Sequence, residues 1–293
     1  MKTTERNRCK HVWGIVAVTL LLTFGLVWNV QAASVGKTEI RNVKTRTADC
    51  QRVYWKKVSK ASGYQLAYKT GSGKYKYQNV KGGASLHGDV KKRRPYEQYT
   101  YRVRAYQIIK KKKVYGDWSG EALSYLDKSV AIYGKSVTYD RYGRFYKSSA
   151  AAKKHMKKIT VKTWDYANGK KGRKITRRWT LYVHKNIADT VKQAFKEIYK
   201  GSEKFPIHYL GGWRQGTGRS EHYDGTAIDI NPDENCQKLN GKVTVGKYWR
   251  PGRDPYSIPK DGEVARILGK YGFSQGLWGK NNLDYMHFSY FGT

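Results

Sequence analysis

The chain has 293 residues, with 58 Lys and Arg against 22 Asp and Glu, a net charge of +36. That length accommodates two modest domains and a targeting segment. Three cysteines without a CxxC pair exclude a thiolate zinc module, and they are too few for a disulfide scaffold. The basic excess is +3 in residues 1–33, +16 in 34–126 and +17 in 127–293, so no single tail carries it. A protein so uniformly basic adheres to polyanions.

Residues 1–33 read as an export segment. Lys2, Arg6, Arg8 and Lys10 precede an almost wholly apolar run over 12–30, and Val30-Gln31-Ala32-Ala33 offers small residues for cutting after Ala32. The run also approaches the ~20 residues of a membrane span, so the alternative is an uncleaved N-terminal anchor. In both cases the positive flank stays inside and the rest is exported. The expected location is extracellular, at the cell wall, or membrane-anchored and facing outward.

Residues 36–126 show short aromatic and β-branched runs with frequent turns: Arg52-Val53-Tyr54-Trp55, Gly63-Tyr64-Gln65-Leu66-Ala67-Tyr68, and the run from Tyr99 through Tyr106. That alternation predicts an all-β sandwich. The segment resembles a fibronectin type III domain. The resemblance makes Trp55 the core Trp, Tyr101 the Tyr near the corner, Val103 and Ala105 inward positions, and Gly116-Asp117-Trp118-Ser119 part of the closing strand. The basic runs Lys110–Lys113 and Lys91-Lys92-Arg93-Arg94 read either as solubilising turns or as electrostatic contacts. Cys50, here, and Cys236, far along the chain, have no pattern that favours pairing them.

Residues 127–180 are expected to be a linker and the start of a second domain, with a short helix over 148–158 and a strand over 175–183. Residues 181–293 should be that domain's core. The clearest helix spans 186–200, with Asn186 as N-cap, Ile187, Val191, Ala194, Phe195 and Ile198 on one stripe, and Gly201 closing it. Phe205-Pro206-Ile207-His208 suggests an incoming strand. Residues 231–260 lack periodicity and predict a long loop, and a last helix is expected over 261–271.

The chemistry concentrates in Ser220-Glu221-His222-Tyr223-Asp224-Gly225-Thr226-Ala227-Ile228-Asp229 and in Asp284-Tyr285-Met286-His287-Phe288. Two imidazoles and one carboxylate leave a fourth coordination position open, as in a catalytic rather than a structural zinc site. The second carboxylate suits a general base. Ile228 and Ile230 alternate with Ala227 and Asp229, as in a strand with one buried face. Asp284 and His287 are three apart and would face opposite ways in a regular strand, so a bend must precede the strand. The remaining histidines, His11, His87, His155, His184 and His208, sit in no ligand pattern.

Ser-x-His-x-x-Gly-x-Ala-x-Asp followed by Asp-x-Met-His-Phe resembles the zinc D-Ala-D-Ala carboxypeptidases of the VanY type. That superfamily also includes L-Ala-D-Glu endopeptidases. The resemblance covers about the last third of the chain. It implies that His222, Asp229 and His287 hold Zn2+ and that Asp284 is the base, where some relatives have Glu. It also implies that Arg214 contacts substrate and supports catalysis and that Trp278 borders the cleft. Arg219 is a weaker candidate, and Ser220 is placed to hydrogen-bond either its own loop or the substrate.

The expected fold is therefore multi-domain, a fibronectin type III-like sandwich followed by an α+β zinc peptidase domain with a small antiparallel sheet. The expected activity is D-alanyl-D-alanine carboxypeptidase, with L-Ala-D-Glu endopeptidase or a non-catalytic wall-binding protein as alternatives. The implied partners are peptidoglycan stem peptides and, through the basic surface, anionic cell-wall polymers. No specific nucleic acid is expected, and membrane contact is expected only through the N-terminal segment.

Overall fold

The computed structural model describes residues 34–136, 145–216 and 220–292. The export segment and Arg219 lie outside the described residues. Among the described residues no helix is long and apolar enough to cross a membrane. The fold is mostly β, and Val35–Thr293 form one compact unit.

The first eight strands are β1 (Ile40–Thr47), β2 (Cys50–Trp55), β3 (Gly63–Thr70), β4 (Lys76–Lys81), β5 (His87–Val90), β6 (Tyr99–Ile109), β7 (Lys112–Tyr115) and β8 (Ala122–Ser124). They make two antiparallel sheets, one in the order β1-β2-β5 and one in the order β4-β3-β6-β7, with β8 also paired to β6. Period-two alternation drives this arrangement. On β6, Tyr101, Val103 and Ala105 are buried between the sheets while Arg102 and Arg104 face outward. Trp55 and Leu66 complete the core, and the Tyr101 hydroxyl donates to Gln51 Oε1 at 2.7 Å, tying the sheets together. The Lys110–Lys111 turn has φ of 47° and 64°, the two-residue hairpin geometry that matches strand twist.

Gly116–Ser119 is not a strand, contrary to expectation. Gly116 N and Ser119 N bond Ala105 and Val103 carbonyls irregularly, so that Trp118 lies between the guanidinium groups of Arg102 and Arg104 at 4.6 and 4.4 Å. Cation–π contact, rather than ladder pairing, sets that segment.

The expected linker after residue 126 contains a helix, α1 (Lys128–Tyr133). Asp127 caps it by accepting from Ser129 N and Val130 N. Its short length hid its period. It joins the two regions: Ala131 lies in the sandwich core, and Ile132 lies in the core of the region that follows. Lys128 Nζ donates to the carbonyls of Gly272 and Tyr290 at 2.8 and 2.7 Å.

The second region begins with α2 (Ser149–Lys153), shorter than the helix expected over 148–158 because the chain turns into β9 (Met156–Asn168). β9 pairs with β10 (Lys171–His184) in a long hairpin. Next is α3 (Ala188–Lys200), whose apolar stripe is buried as the periodicity predicts. Asn186 does not cap it. The His184 ring accepts from Asn186 N instead, while the Asn186 amide donates to the Ala131 and Ile132 carbonyls. Gly201 is extended, with φ −63° and ψ 154°, not left-handed.

A six-stranded antiparallel sheet follows, built from β11 (Leu210–Gly211), β12 (Ala227–Ile230), β13 (Asn235–Leu239), β14 (Lys242–Trp249), β15 (Ser274–Leu277) and β16 (Leu283–Ser289). α4 (Glu263–Lys270) precedes β15. The order is β11-β12-β16-β13-β14, with β15 also on β16. The expected strand at 205–208 is only an isolated bridge, Trp164 to Pro206. The expected loop over 231–260 contains the β13–β14 hairpin, which sequence reading missed: β14 is an exposed edge that buries no side chain, and its alternating Val243 and Val245 face outward. Ile228, Ile230 and Phe288 turn their side chains into the core shared with α3, leaving the opposite face of β12 and β16 for chemistry.

Candidate metal centre

Each candidate ligand is placed by a local device. Ser220 Oγ accepts from His222 N at 3.3 Å, capping the short turn Glu221–Asp224, and Gly225 closes it at φ +71°. A side chain at Gly225 would strike Met156 and the backbone of His184, so glycine is required there on both counts. The turn sets His222 over β12. Asp229 sits directly opposite His287 in the β12–β16 register, which puts both on one face.

Asp284 reaches the same face through an irregularity. Along β15, Gln275 pairs with Phe288 but the next residue, Gly276, pairs with Asp284, so Tyr285, Met286 and His287 have no partner on β15. This bulge reverses the parity of Asp284 relative to His287. It lies within β16, not before the strand as the parity argument required. Gly276 is needed opposite it, because a Cβ there would lie 2.8 Å from that of Asp284.

His222 Nε2 is 3.0 Å from Asp229 Oδ1 and 3.1 Å from His287 Nδ1, and His287 Nδ1 is 3.2 Å from Asp229 Oδ1. Donor atoms on a tetrahedral zinc ion with bonds of about 2.0–2.1 Å lie about 3.3 Å apart, so the triangle is the right size. His222 Nδ1 is 2.8 Å from the Gly212 carbonyl, an acceptor, so that nitrogen carries the proton and Nε2 presents its lone pair. All three residues are buried. The residues fit the metal.

The electrostatics agree with this division of roles. Burial works against the ionised form of Asp229, but the charges and hydrogen bonds of His222 and His287 outweigh it and hold that carboxyl well below its usual range. Asp284 is the opposite case: burial pushes it up to about 6, with the imidazoles and Gln237 pulling the other way. Gln237 Nε2 donates to Asp284 Oδ2 at 2.8 Å and Thr244 Oγ1 donates to Gln237 Oε1 at 2.9 Å. Asp284 Oδ1 is buried and has no hydrogen-bond partner among the described residues. One oxygen is held and the other is free to accept a proton.

Residues 214–290 match the family described as D-alanyl-D-alanine carboxypeptidase. Peptidases of this family are zinc-dependent, and His222, Asp229, His287 and Asp284 all fall inside the match. No curated protein matches the chain. The similar solved structures include the third fibronectin III domain of human KIAA0343 protein (18% identical, covering 32% of this chain and 80% of that one, TM-score 0.27). The fn3 domain of human contactin 1 is also among them (20% identical, 31% and 75%, TM-score 0.27).

Within this carboxypeptidase-like region the other expected residues are distributed unevenly. Arg214 lies at the rim, its side chain 55% exposed, with Nη1 3.3 Å from Asp229 Oδ2. Trp278 borders the site, its ring 5.8 Å from that of His287. Ser220 spends its hydroxyl on the turn, which makes it loop support. Cys50 and Cys236 are both buried and free.

Three residues were missed. Gln237 fell in the supposed loop. Glu221 and Asp224 occupy variable positions of the motif, yet both are buried: Glu221 accepts from Tyr290 N and Phe291 N, and Asp224 from Phe145 N and Tyr146 N. The available signal was two acids flanking a ligand His in a chain poor in acids.

Proposed function

We propose that this chain is an exported zinc peptidase of bacterial peptidoglycan stem peptides, removing the terminal residue of D-Ala-D-Ala. The observation that carries the reading is the buried His222–Asp229–His287 triangle with the unpartnered oxygen of Asp284 beside it, inside the family match. Zinc bound there supplies Lewis-acid activation of water and of the scissile carbonyl.

The chain's own groups do the rest. Asp284 Oδ1 accepts the proton of the attacking water and returns it to the leaving amine nitrogen, so water is added across the amide bond. Gln237 keeps Oδ2 engaged and aims Oδ1. Arg214, anchored by one nitrogen to Asp229, offers the remainder of its fork to a substrate carboxylate or to the developing oxyanion. Trp278 walls the cleft. Export through residues 1–33 and adhesion to anionic wall polymers through the +36 charge complete the proposal.

The test is incubation of the full chain, with and without zinc, on a synthetic pentapeptide stem read by mass. Loss of one terminal Ala is expected, zinc-dependent and reduced about 10²–10⁴-fold by Asp284→Ala. Zinc content should not change in that variant, since Asp284 is not a ligand. Release of L-Ala from the remaining stem would move the assignment to the L-Ala-D-Glu endopeptidase. An intact stem with zinc bound would leave a wall-binding protein.

A further inference from the structure

A concentration of unpaired charge lies in a cleft of the sandwich, about 290 Å³, at the Thr70–Tyr99 end of β3 and β6. Six cations line it: Lys69, Lys74, Lys76, Lys92, Arg93 and Arg94. The one acid, Glu97, is already occupied by Arg94 at 3.4 Å and by the Tyr99 hydroxyl at 2.5 Å. None of the other five forms an ion pair among the described residues. Like charges crowded into a concavity repel one another, and an anion bound among them would offset that cost.

The cleft has a packed floor and an exposed rim. The Arg93 guanidinium packs on the rings of Tyr68 and Tyr99 at 4.8 and 4.3 Å, its Nε donates to the Lys91 carbonyl, and its backbone N–H bonds the Asp49 carbonyl. Lys74, Lys76 and Lys92 are exposed around it. Because Arg93 occupies the tyrosine faces, they are not available for stacking bases, as a single-stranded nucleic-acid site requires. The volume exceeds one phosphate group and is too small for a duplex.

We propose that this cleft binds a flexible phosphodiester polymer and so tethers the chain to it, independently of the metal centre. The inference rests on the general reading of adhesion to anionic polymers and narrows it to one site.

The experiment measures binding of synthetic poly(glycerol phosphate) to the full chain across a series of NaCl concentrations. Two triple variants each lose three charges: Lys74→Gln/Lys76→Gln/Lys92→Gln in the cleft, and Lys110→Gln/Lys111→Gln/Lys112→Gln at the β6–β7 turn. The turn lies ten residues further along β6, about 33 Å away. All six are surface lysines, so both variants should melt with the parent protein.

The cleft variant should bind at least about tenfold more weakly, and its log–log salt slope should shrink by about 2, near 0.7 per lost phosphate contact. The turn variant should change affinity less than about threefold. Zinc removal should leave binding unaltered. Equal losses in the two variants would overturn the site while leaving diffuse adhesion standing. Failure of the parent protein to bind would overturn both. Duplex DNA should compete poorly per phosphate, and equal competition would also overturn the assignment.

Discussion

The two regions share a basic surface and a β framework but treat charge in opposite ways. The sandwich buries Gln51, Thr38, Thr100 and Ser119 and, among the described residues, no Asp, Glu, His, Lys or Arg. The second region buries Asp165, His184, Glu221, His222, Asp224, Asp229, Glu234, Asp284 and His287. An unpaired buried charge costs several kcal/mol, so each must be held by partners. Glu221 and Asp224 are held by backbone N–H groups and Asp229 by imidazoles, whereas Asp284 retains one unpaired oxygen. The second region has an apolar core of its own, and four of its buried ionisable groups, His222, Asp229, Asp284 and His287, gather at one place on the sheet.

That contrast can be broken experimentally, beginning with its core. Trp55→Ala removes the largest fully buried side chain of the sandwich and should cost about 3–5 kcal/mol. Measured by denaturant melting, the loss should appear in the whole unit, because α1 contributes to both cores. Two separate transitions, with activity surviving the first, would show that the regions fold independently. Lys128→Met tests the joint directly. It leaves the carbonyls of Gly272 and Tyr290 without their donor, a loss of about 1–3 kcal/mol, and an unchanged melt would mean that the joint does not couple them.

Gln237→Leu addresses the site rather than the fold. It should lower kcat by about tenfold or somewhat more, as expected when an outer partner of a catalytic group is lost, with KM and zinc content near those of the parent. A change in KM alone would place Gln237 in substrate contact instead.

The smallest expected effect concerns pH. His184 is buried, and burial with the nearby His155 and Lys185 charges lowers its pKa to about 3. Its Nδ1 accepts from Asn186 N and its Nε2 is 2.8 Å from the Tyr146 hydroxyl, so the neutral ring is the form that fits. The unfolded chain binds this proton near pH 6.5 and the folded chain does not. Stability is therefore present above about 6.5 and is lost as pH falls, by about 1 kcal/mol between pH 7 and 5.5. Asp284, raised to about 6, acts with the opposite sign in the metal-free protein, since the folded state holds its proton longer. The quantity to read is therefore the difference in slope between the parent and His184→Gln; equal slopes would refute the assignment.

Much of this molecule was legible in advance. Period-two alternation identified the sandwich and placed Trp55, Tyr101, Val103 and Ala105 inside. Period 3.6 placed the stripe of α3. Two short motifs named the residues that the structure brings together, His222, Asp229, His287 and, beside them, Asp284. These signals are local: each depends on side-chain spacing along one strand, one helix or one turn, and neighbouring residues carry it whole.

The tertiary structure decided the rest, because the rest depends on groups far apart in sequence. The bulge that turns Asp284 toward His287 exists only where β15 and β13 pair with β16. Gln237 is a loop residue until the register sets it opposite Asp284. Asn186 resembled an N-cap because its neighbour on α1 was invisible, and the five unpaired cations of the sandwich cleft converge only when β3, β4 and the segment after β5 are brought together. Periodicity along a chain encodes which face is buried; which distant group meets that face is a property of the register between strands, and only the folded chain sets it.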